Sequence, residues 1–383
     1  MVIPPRVLIV AGEASADHHG AALVRELKLM RPDVECFGVG GALMREQGFD
    51  FVARAEDMAV AGLTEVIWAL PRLMGIAHDL TRAAADRVPD VAVLIDHPDF
   101  NLRLARRLKG LGIRVVYYIS PQVWAWRQSR VFTIRRLVDE MLVILPFEQE
   151  FYAKHGVKAQ FVGHPFVEEL PLDPSRSDAR EALHLGPGGP VVALLPGSRS
   201  KEVESNLPTM LQAMRVLREK IPSARALIPV ASTIDRATIE NAVRDAGVEA
   251  KIIDGRSTEV LSAADAAVVC SGTATLQTAL LKRPMVVVYR VSWLTYQILK
   301  RMIKVAHIAI VNLIAGRTLV AELIQDEFTP ENVASHVFEL LEDDAARVIL
   351  ENELAALRAR LGTGDSARRV ASIVATYLPQ RLP

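Results

Sequence analysis

Val91 to Asn101 reads VAVLIDHPDFN, an apolar run that is followed at once by polar side chains and a proline. The run Val91–Ile95 is rich in β-branched residues and bounded by polar ones, which predicts a strand covered on both faces. Pro98 suits the first turn of a helix. This succession of strand, loop and helix recurs along the chain and decides the fold class.

Nine further runs of the same kind predict the strands of two parallel sheets. Short apolar runs that alternate with longer amphipathic stretches are typical of α/β proteins, because helices cover both faces of a parallel sheet. The first series comprises residues 7–10, 91–95, 114–119, 141–145 and 160–162, and the second comprises 191–195, 225–229, 251–253, 266–270 and 285–289. We therefore expect two doubly wound, Rossmann-like α/β domains that face each other across a cleft.

Prolines and glycines mark the change from one series to the next. The segment 164–190 holds five prolines and three glycines around one short helical pattern at 177–185, which is typical of a connector. The expected organisation is an N-terminal domain over 1–168, a linker over 169–189, a C-terminal domain over 190–355, and a C-terminal helix over 356–383 that could pack back on the N-terminal domain.

Composition excludes several classes of protein. The chain has 383 residues, half of them hydrophobic, and 45 basic against 45 acidic residues. The zero net charge argues against a general nucleic-acid binder. Cys36 and Cys270 are far apart, which fits a reduced, cytosolic setting better than a disulfide framework. No stretch reaches the roughly 18 apolar residues of a membrane span, no signal-peptide core is evident, and no His, Cys, Asp or Glu spacing suggests a metal.

In doubly wound sheets, ligands bind beyond the carboxyl ends of the strands, so the loops that follow strands are the candidate sites. Asp96 comes directly after the opening strand and suits a general base at the cleft. His97, His18 and His19 are rival bases. Asp99 is well placed to cap the next helix.

The loop 11–17 follows the first strand and is neither a dinucleotide fingerprint nor a P-loop. Ser15 or Asp17 could simply cap the helix that follows. The cluster Gly38-Val39-Gly40-Gly41 lacks the third spaced glycine of a dinucleotide site. A nicotinamide dehydrogenase is therefore disfavoured.

Two loops of the second domain suit a phosphate. In Pro196–Ser200 the small residues let the backbone approach an anion, and Arg199 can donate two parallel hydrogen bonds to phosphate oxygens. Ser271–Ala274 opens a helix, whose exposed amides and dipole attract negative charge. Either loop alone is a weak signal, but together they favour a nucleotide diphosphate site in this domain.

Two amphipathic stretches each admit two interpretations. A stripe with helical spacing runs along 63–77 and is interrupted by Pro71; it could pack on the core or face lipid. Its membrane-facing candidates are Val66, Ile67, Trp68, Leu70, Leu73 and Met74. Residues 292–304 mix aromatic, aliphatic and basic side chains, which suits a membrane interface or an anionic acceptor as well as core packing.

Several segments together resemble the lipid-A-disaccharide synthases, which are bacterial inverting glycosyltransferases of the GT-B type. The most specific is SPQVWAWR at 120–127, because two tryptophans in a fixed frame are improbable by chance. The other segments are residues 11–17, 95–101, 145–148, 161–165, 195–199, 271–274 and 312–317. They run in order over nearly the whole chain.

The resemblance implies a reaction and its site residues. UDP-2,3-diacylglucosamine would donate its sugar to 2,3-diacylglucosamine 1-phosphate, which gives a β-1,6-linked disaccharide phosphate and UDP without a cofactor or metal. Asp96 would act as the general base. The residues implied for the donor and UDP are Ser15, Arg199, Ser271, Gly272, Thr273 and Gln277, and those implied elsewhere in the active site are Glu13, Asp99 and Asn312.

The acyl chains of both substrates imply peripheral association with the cytoplasmic, inner face of the inner membrane, and a homodimer stays open. Two positions depart from the family. Ala16 replaces the usual glycine and would be strained if its φ were positive. Gln277 replaces the usual glutamate, which is expected to accept hydrogen bonds from both ribose hydroxyls. A glutamine offers one acceptor oxygen and a donor amide, so an altered nucleotide contact is expected.

Two other kinds of function remain open on the sequence. The nearest is another UDP-sugar enzyme of the same fold, such as a MurG-like transferase or a UDP-N-acetylglucosamine 2-epimerase. A two-lobed binding protein without catalysis comes from a different class. It would not need a base at Asp96, and a periplasmic form would need a signal peptide.

Overall fold

The computed structural model describes residues 4–58, 65–292, 296–297 and 307–379, with the backbone alone at 65–68. The chain divides into two compact units. Unit 1 comprises Met1–Pro165 together with Gly362–Pro383, and unit 2 comprises Phe166–Leu361. Among the described helices, none is both long and apolar enough to cross a membrane.

Unit 1 is built on a seven-stranded sheet in the order β3-β2-β1-β4-β5-β6-β7, in which all neighbouring strands are parallel. Its strands are β1 (Arg6–Ala11), β2 (Glu35–Gly40), β3 (Asp50–Arg54), β4 (Val91–Ile95), β5 (Arg114–Tyr118), β6 (Glu140–Val143) and β7 (Ala159–Phe161). Its helices are α1 (Ala14–Met30), α2 (Ala42–Glu46), α3 (Glu65–Arg87), α4 (Pro98–Gly110), α5 (Arg130–Leu137), α6 (Pro146–Lys154) and the C-terminal Ser366–Ala375.

Both faces of this sheet are buried, which explains its continuous apolar strands. Along β1, Leu8 and Val10 contribute to one hydrophobic cluster, while Val7 and Ile9 contribute to a second cluster on the other face. All five residues of β4 are fully buried.

Unit 2 repeats the plan with six parallel strands in the order β10-β9-β8-β11-β12-β13. Its strands are β8 (Val191–Leu195), β9 (Arg225–Val230), β10 (Ala250–Asp254), β11 (Ala266–Cys270), β12 (Met285–Tyr289) and β13 (Ala321–Ile324). Its described helices are α7 (Phe166–Glu169), α8 (Arg176–Ala182), α9 (Ser200–Lys220), α10 (Arg236–Ala246), α11 (Ser257–Ala263), α12 (Thr273–Leu280), α13 (Ile310–Ala315), α14 (Pro330–Glu342) and α15 (Asp344–Arg360), so the C-terminal helix of unit 1 is α16.

Two parallel-sheet α/β domains were predicted, and this fold class is confirmed. All ten predicted strands are present, with ends that differ by up to two residues. The predicted runs did not include β2, β3 and β13. The strand β2 lies inside the unit 1 sheet, between β1 and β3, whereas β3 and β13 are edge strands of the two sheets. Each carries a charged residue and is largely half-buried, because an edge strand has only one neighbouring strand.

The segment expected as a linker, 169–189, belongs to unit 2. Its helix α8 packs against α11, and Arg180 forms an ion pair with Asp265, with 2.5 Å between Nη2 and Oδ2. The chain returns to unit 1 only at Gly362. The last helix, α16, then packs against α1.

A buried arginine joins three parts of unit 2. Arg358, on α15, donates to the carbonyl oxygens of Val167, Leu170, Pro171 and Leu280 at distances of 2.7 to 3.2 Å. Burial lowers its pKa below the usual arginine value. This guanidinium therefore completes the hydrogen bonding of the C-terminal ends of α7 and α12.

Candidate active site

In each sheet the strand order reverses at one point, between two neighbouring strands. The candidate residues lie in the loops that follow these two strands. In unit 1 the point lies between β1 and β4, which are followed by Glu13 and Asp96. In unit 2 it lies between β8 and β11, which are followed by Arg199 and Ser271. Such points form the ligand-binding crevices of doubly wound sheets, so the topology of each unit supports a site at these loops.

The backbone at Asp96 is held in an unusual conformation. Asp96 and His97 have φ values of 49° and 44°, in the left-handed region that costs energy for residues other than glycine. The carbonyl of Asp96 accepts hydrogen bonds from Asn101 Nδ2 at 2.7 Å and Tyr117 Oη at 2.5 Å, and its amide donates to the Tyr118 carbonyl at 3.0 Å. These bonds fix the turn and so fix where the carboxylate stands.

The electrostatic surroundings of Asp96 suit a base. Burial raises the pKa of its carboxyl, and the nearby Glu13 carboxylate raises it further. The rival base His19 is a weak base, because burial and the nearby His18 lower its pKa to about 4. His164 is buried near His19, and its pKa is lowered to about 3. The raised pKa of Asp96 fits the prediction that this carboxylate accepts a proton.

Asp99 does not cap α4, so this prediction was wrong. The N-cap residue is His97, whose side chain makes no capping bond, and Asp99 lies inside the first turn. Its carboxylate instead pairs with Arg130, with 2.5 Å between Oδ1 and Nη2. Asp99 thereby ties the start of α4 to the first residue of α5.

The residues around the first turn of α1 also differ from expectation. The N-cap is Glu13, and neither Ser15 nor Asp17 caps this helix. Asp17 is buried and accepts hydrogen bonds from amides that open α2. Ala16 lies within α1, is buried, and has no positive φ. Its methyl group packs in the core, so the feared backbone strain is absent.

A buried network that the sequence did not reveal supports the segment after β5. Glu148 lies in the first turn of α6 and accepts from Trp124 Nε1 at 2.9 Å and from the Leu145 amide at 3.1 Å. Ser120 Oγ and Tyr152 Oη are 2.7 Å apart. Burial outweighs these bonds and raises the pKa of Glu148 to about 7.

In unit 2, Arg199 precedes α9 with 83% of its side chain exposed. Its Nη1 lies 2.9 Å from Glu202 Oε1, while Glu202 Oε2 accepts from the amides of Ser198 and Arg199 at 3.1 and 3.3 Å. Glu202 was not anticipated. It binds the guanidinium of Arg199 and two backbone amides of this loop.

The loop after β11 places Gly272 at the N-cap of α12 with Thr273 as the first helical residue, and both are exposed. Ser271 Oγ donates to the Ile308 carbonyl at 3.4 Å. One turn later, Gln277 Nε2 donates to Ser257 Oγ and Thr258 Oγ1, each at 3.1 Å. The amide donors of Gln277 are therefore used within the protein.

Asn312 is fully buried, and its side-chain hydrogen bonds are made inside unit 2. Its Nδ2 donates to the Val320 carbonyl and to Glu322 Oε1, and its Oδ1 accepts from the Leu319 and Val320 amides. Glu322 also accepts from the Ile308 amide at 2.9 Å. Since the Ile308 carbonyl accepts from Ser271, these bonds connect Asn312, through Glu322 and Ile308, to the Ser271 loop.

The helix α3 presents only part of the apolar stripe to solvent. Leu70 and Met74 are 41% and 57% exposed, whereas Leu73 packs against the core. Pro71 lies within the helix. The other three membrane-facing candidates, 66–68, have side chains outside the described residues, as does most of 292–304.

Comparison with known proteins assigns the family. The family model described as lipid-A-disaccharide synthetase matches residues 7–374. The chain belongs to this family. A lipid-A-disaccharide synthase from Myxococcus xanthus is 48% identical over 379 residues, which cover 99% of each chain. One from Anaeromyxobacter sp. strain K is 50% identical and covers 98% of this chain and 99% of its own.

Solved structures share the fold at low sequence identity. A UDP-GlcNAc 2-epimerase from Neisseria meningitidis, bound to UDP-GlcNAc, aligns with a TM-score of 0.66 and 11% identity over 97% of this chain and all of its own. The glycotransferase of kitacinnamycin aligns with a TM-score of 0.63 and 17% identity over 98% of this chain and all of its own. The fold is GT-B, and the synthetase family makes this chain a glycosyltransferase.

Proposed function

We propose that the protein transfers the sugar of UDP-2,3-diacylglucosamine to the 6-hydroxyl of 2,3-diacylglucosamine 1-phosphate. The products are the β-1,6-linked disaccharide 1-phosphate and UDP. Membership of the synthetase family over residues 7–374 supports this pair of substrates. The observation that carries the chemistry is the half-buried Asp96 beside Glu13 at the switch point of unit 1.

In this mechanism, ionised Asp96 takes the proton of the acceptor 6-hydroxyl while that oxygen attacks the anomeric carbon of the donor. The bond between this carbon and the diphosphate oxygen breaks, and UDP leaves with the electron pair. One displacement without a glycosyl-enzyme intermediate inverts the anomeric configuration. The raised pKa makes Asp96 a stronger base than an exposed carboxylate, provided that it is ionised at the working pH.

In the same proposal, unit 2 binds the nucleotide. Arg199 and the amides around Ser271, Gly272 and Thr273 stabilise the negative charge that grows on the departing UDP. Since Glu202 holds Arg199 and two backbone amides, we expect the diphosphate to displace this carboxylate. Gln277 offers its Oε1 to a ribose hydroxyl.

Mass spectrometry after mixing the purified protein with both proposed substrates, in the presence of EDTA, tests the reaction. Disaccharide 1-phosphate and UDP in equal amounts are the expected products. If no disaccharide forms while UDP still binds, the proposed substrate pair is wrong and another UDP-sugar enzyme of the same fold is favoured.

A second part of the proposal is peripheral binding to the inner face of the inner membrane through α3. The acylated substrates and the exposed side chains of Leu70 and Met74 support it. Liposome flotation of an L70S/M74S double variant tests this surface, with L29S as a control because Leu29 is equally apolar and 70% exposed on α1. Flotation that is equal in both variants and the wild type would contradict the proposal.

A further inference from the structure

A cavity of about 150 Å³ lies at the carboxyl edge of the unit 1 sheet, where β2 and β3 end. Its lining includes Gly40, Gly41, Arg45, Phe51, Arg54 and Glu56. Pockets that hold complete small molecules have volumes of roughly 300 to 1,000 Å³. This cavity therefore suits an end group rather than a complete lipid or sugar nucleotide.

The guanidinium donors of the two arginines in the cavity are not used by the described residues. Within the part of the chain that the structure describes, neither Arg45 nor Arg54 has a carboxylate partner or donates a side-chain hydrogen bond. Arg45 is held over the ring of Phe51, with 5.1 Å between Cζ and the ring centroid, a stabilising cation–π contact. Of the charged side chains that line the cavity, two carry guanidinium groups and one is the carboxylate of Glu56.

The backbone wall of the cavity depends on Asp17. Its carboxylate accepts from the amides of Gly41 at 2.7 Å, Leu43 at 3.1 Å and Met44 at 3.2 Å. A Cβ atom at Gly41 would lie 2.5 Å from Asp17 Oδ2, so this close approach requires glycine. These bonds fix α2 and, with it, Arg45 in its last turn. The loop after β1 and the glycine cluster after β2 thus build one cavity.

The cavity shares the sheet edge of Asp96. The strands β2 and β3 are two and three positions from β4 in the sheet, which corresponds to about 10 to 14 Å at roughly 4.8 Å per strand. A ligand whose reacting end lies at Asp96 could place its other end in the cavity.

We propose that this cavity binds a phosphate monoester, with the guanidinium groups of Arg45 and Arg54 as donors. Guanidinium binds phosphate oxygens through paired, charge-assisted hydrogen bonds. Resting on the proposed function, the first source of this group is the 1-phosphate of the sugar acceptor. The head group of a phosphatidic acid in the membrane carries the same chemistry and is the second source.

Calorimetric titration with inorganic phosphate and with glucosamine 1-phosphate tests the site without requiring transfer activity. The variant R45Q/R54Q should bind both probes about 10- to 100-fold more weakly than the wild type, as expected for lost charged hydrogen bonds. The control is R107Q/R136Q, which removes two exposed arginines from the last turns of α4 and α5. Equal affinities in R45Q/R54Q and the wild type would overturn the proposal.

Kinetics then identify the source of the phosphate. If it belongs to the acceptor, R45Q/R54Q raises KM for the phosphorylated acceptor about 10- to 100-fold, with kcat and the rate on the dephosphorylated acceptor unchanged. If it belongs to a lipid, both rates in detergent stay unchanged while retention on phosphatidic acid vesicles falls. A wild type that forms no disaccharide refutes the proposed function but leaves the titration result intact.

Discussion

The carboxylate of Glu148 accepts a hydrogen bond from the indole of Trp124, with 2.9 Å between Oε1 and Nε1, and both side chains are buried. The same acid accepts from the Leu145 amide at the start of α6. One buried carboxyl group therefore anchors the segment after β5 to the first turn of α6. Two residues beyond this anchor, Trp126 is 38% exposed, with the guanidinium of Arg127 stacked over its ring.

The pKa of Glu148 predicts that E148Q changes the pH dependence of stability. Burial raises this pKa from 4.5 to about 7, so the folded chain keeps a proton that the unfolded chain loses between these values. The stability from this group is fully present below pH 4.5 and is lost as the pH rises through about 7. Between about pH 5 and 8, the wild type should lose up to about 3 kcal/mol more than E148Q. Urea unfolding at several pH values measures the free energy of unfolding. The variant E150Q, at an exposed site, should show the same pH dependence as the wild type.

Replacing Asp96 by asparagine should remove catalysis and preserve nucleotide binding. An amide of similar shape cannot accept the proton of the acceptor, and general bases are typically worth about 10²- to 10⁴-fold in rate. Steady-state kinetics should show this loss in kcat, while calorimetry gives an unchanged Kd for UDP. Equal losses of rate and UDP affinity would remove Asp96 from its proposed role.

Glu13 should set the acidic limb of the activity profile. Its carboxylate is the second cause, after burial, that raises the pKa of Asp96. Without this negative charge, Asp96 stays ionised at lower pH, so E13Q should move the acidic limb of kcat/KM to lower pH. The rate profile of E26Q, which alters an acid near the far end of α1, provides the control. An unshifted limb in E13Q would contradict the coupling.

Loss of the Arg358 guanidinium should destabilise unit 2. The variant R358M leaves four carbonyl oxygens without their donor in a buried region, at a cost of about 3 to 5 kcal/mol. The matched variant R360M removes an arginine of the same helix that makes one long, exposed bond and should cost less than about 0.5 kcal/mol. Denaturant unfolding of both variants compares the two values.

The variant Q277E introduces the glutamate that the family resemblance implied at this position. Ser257 and Thr258 now accept from the amide of Gln277, and their hydroxyls can rotate to donate to a carboxylate instead. If both ribose hydroxyls then donate to the two oxygens of the introduced carboxylate, UDP should bind about tenfold more tightly, as one added charged hydrogen bond predicts. Calorimetry with UDP and 2′-deoxy-UDP separates this effect, because the deoxy nucleotide should gain less.

Much of the site follows from strand positions that the sequence reveals. Because β4 and β8 are short and wholly apolar, their ends fix where Asp96 and the Pro196–Ser200 loop lie. Parallel pairing then brings each loop beside that of the neighbouring strand. The periodicity of α3 also predicted an apolar stripe, but it could not show which of its side chains face the core. The structure shows that Leu73 packs against the core.

The supporting contacts could not be predicted, because their partners are remote in sequence. The amides bound by Asp17 lie 24 to 27 residues away, so its local spacing suggested a cap for the wrong helix. Glu148 and Trp124 are 24 residues apart, and each alone is unremarkable in the sequence. Asn312 was predicted through family resemblance, and the structure adds its contact with Glu322, a residue that the sequence did not single out.

The order of synthesis has a consequence for the two units. Unit 1 closes its core with α16, whose Val370, Ala371 and Val374 share a hydrophobic cluster with Val7 and Ile9 of β1. Unit 2 is continuous between Phe166 and Leu361. On the ribosome, the domain that emerges second is thus complete before the first, whose amino-terminal strands must wait for residues 362–383. That wait is on the order of tens of seconds at ~5–20 residues per second, and during it the apolar surface beneath α16 is open to chaperones.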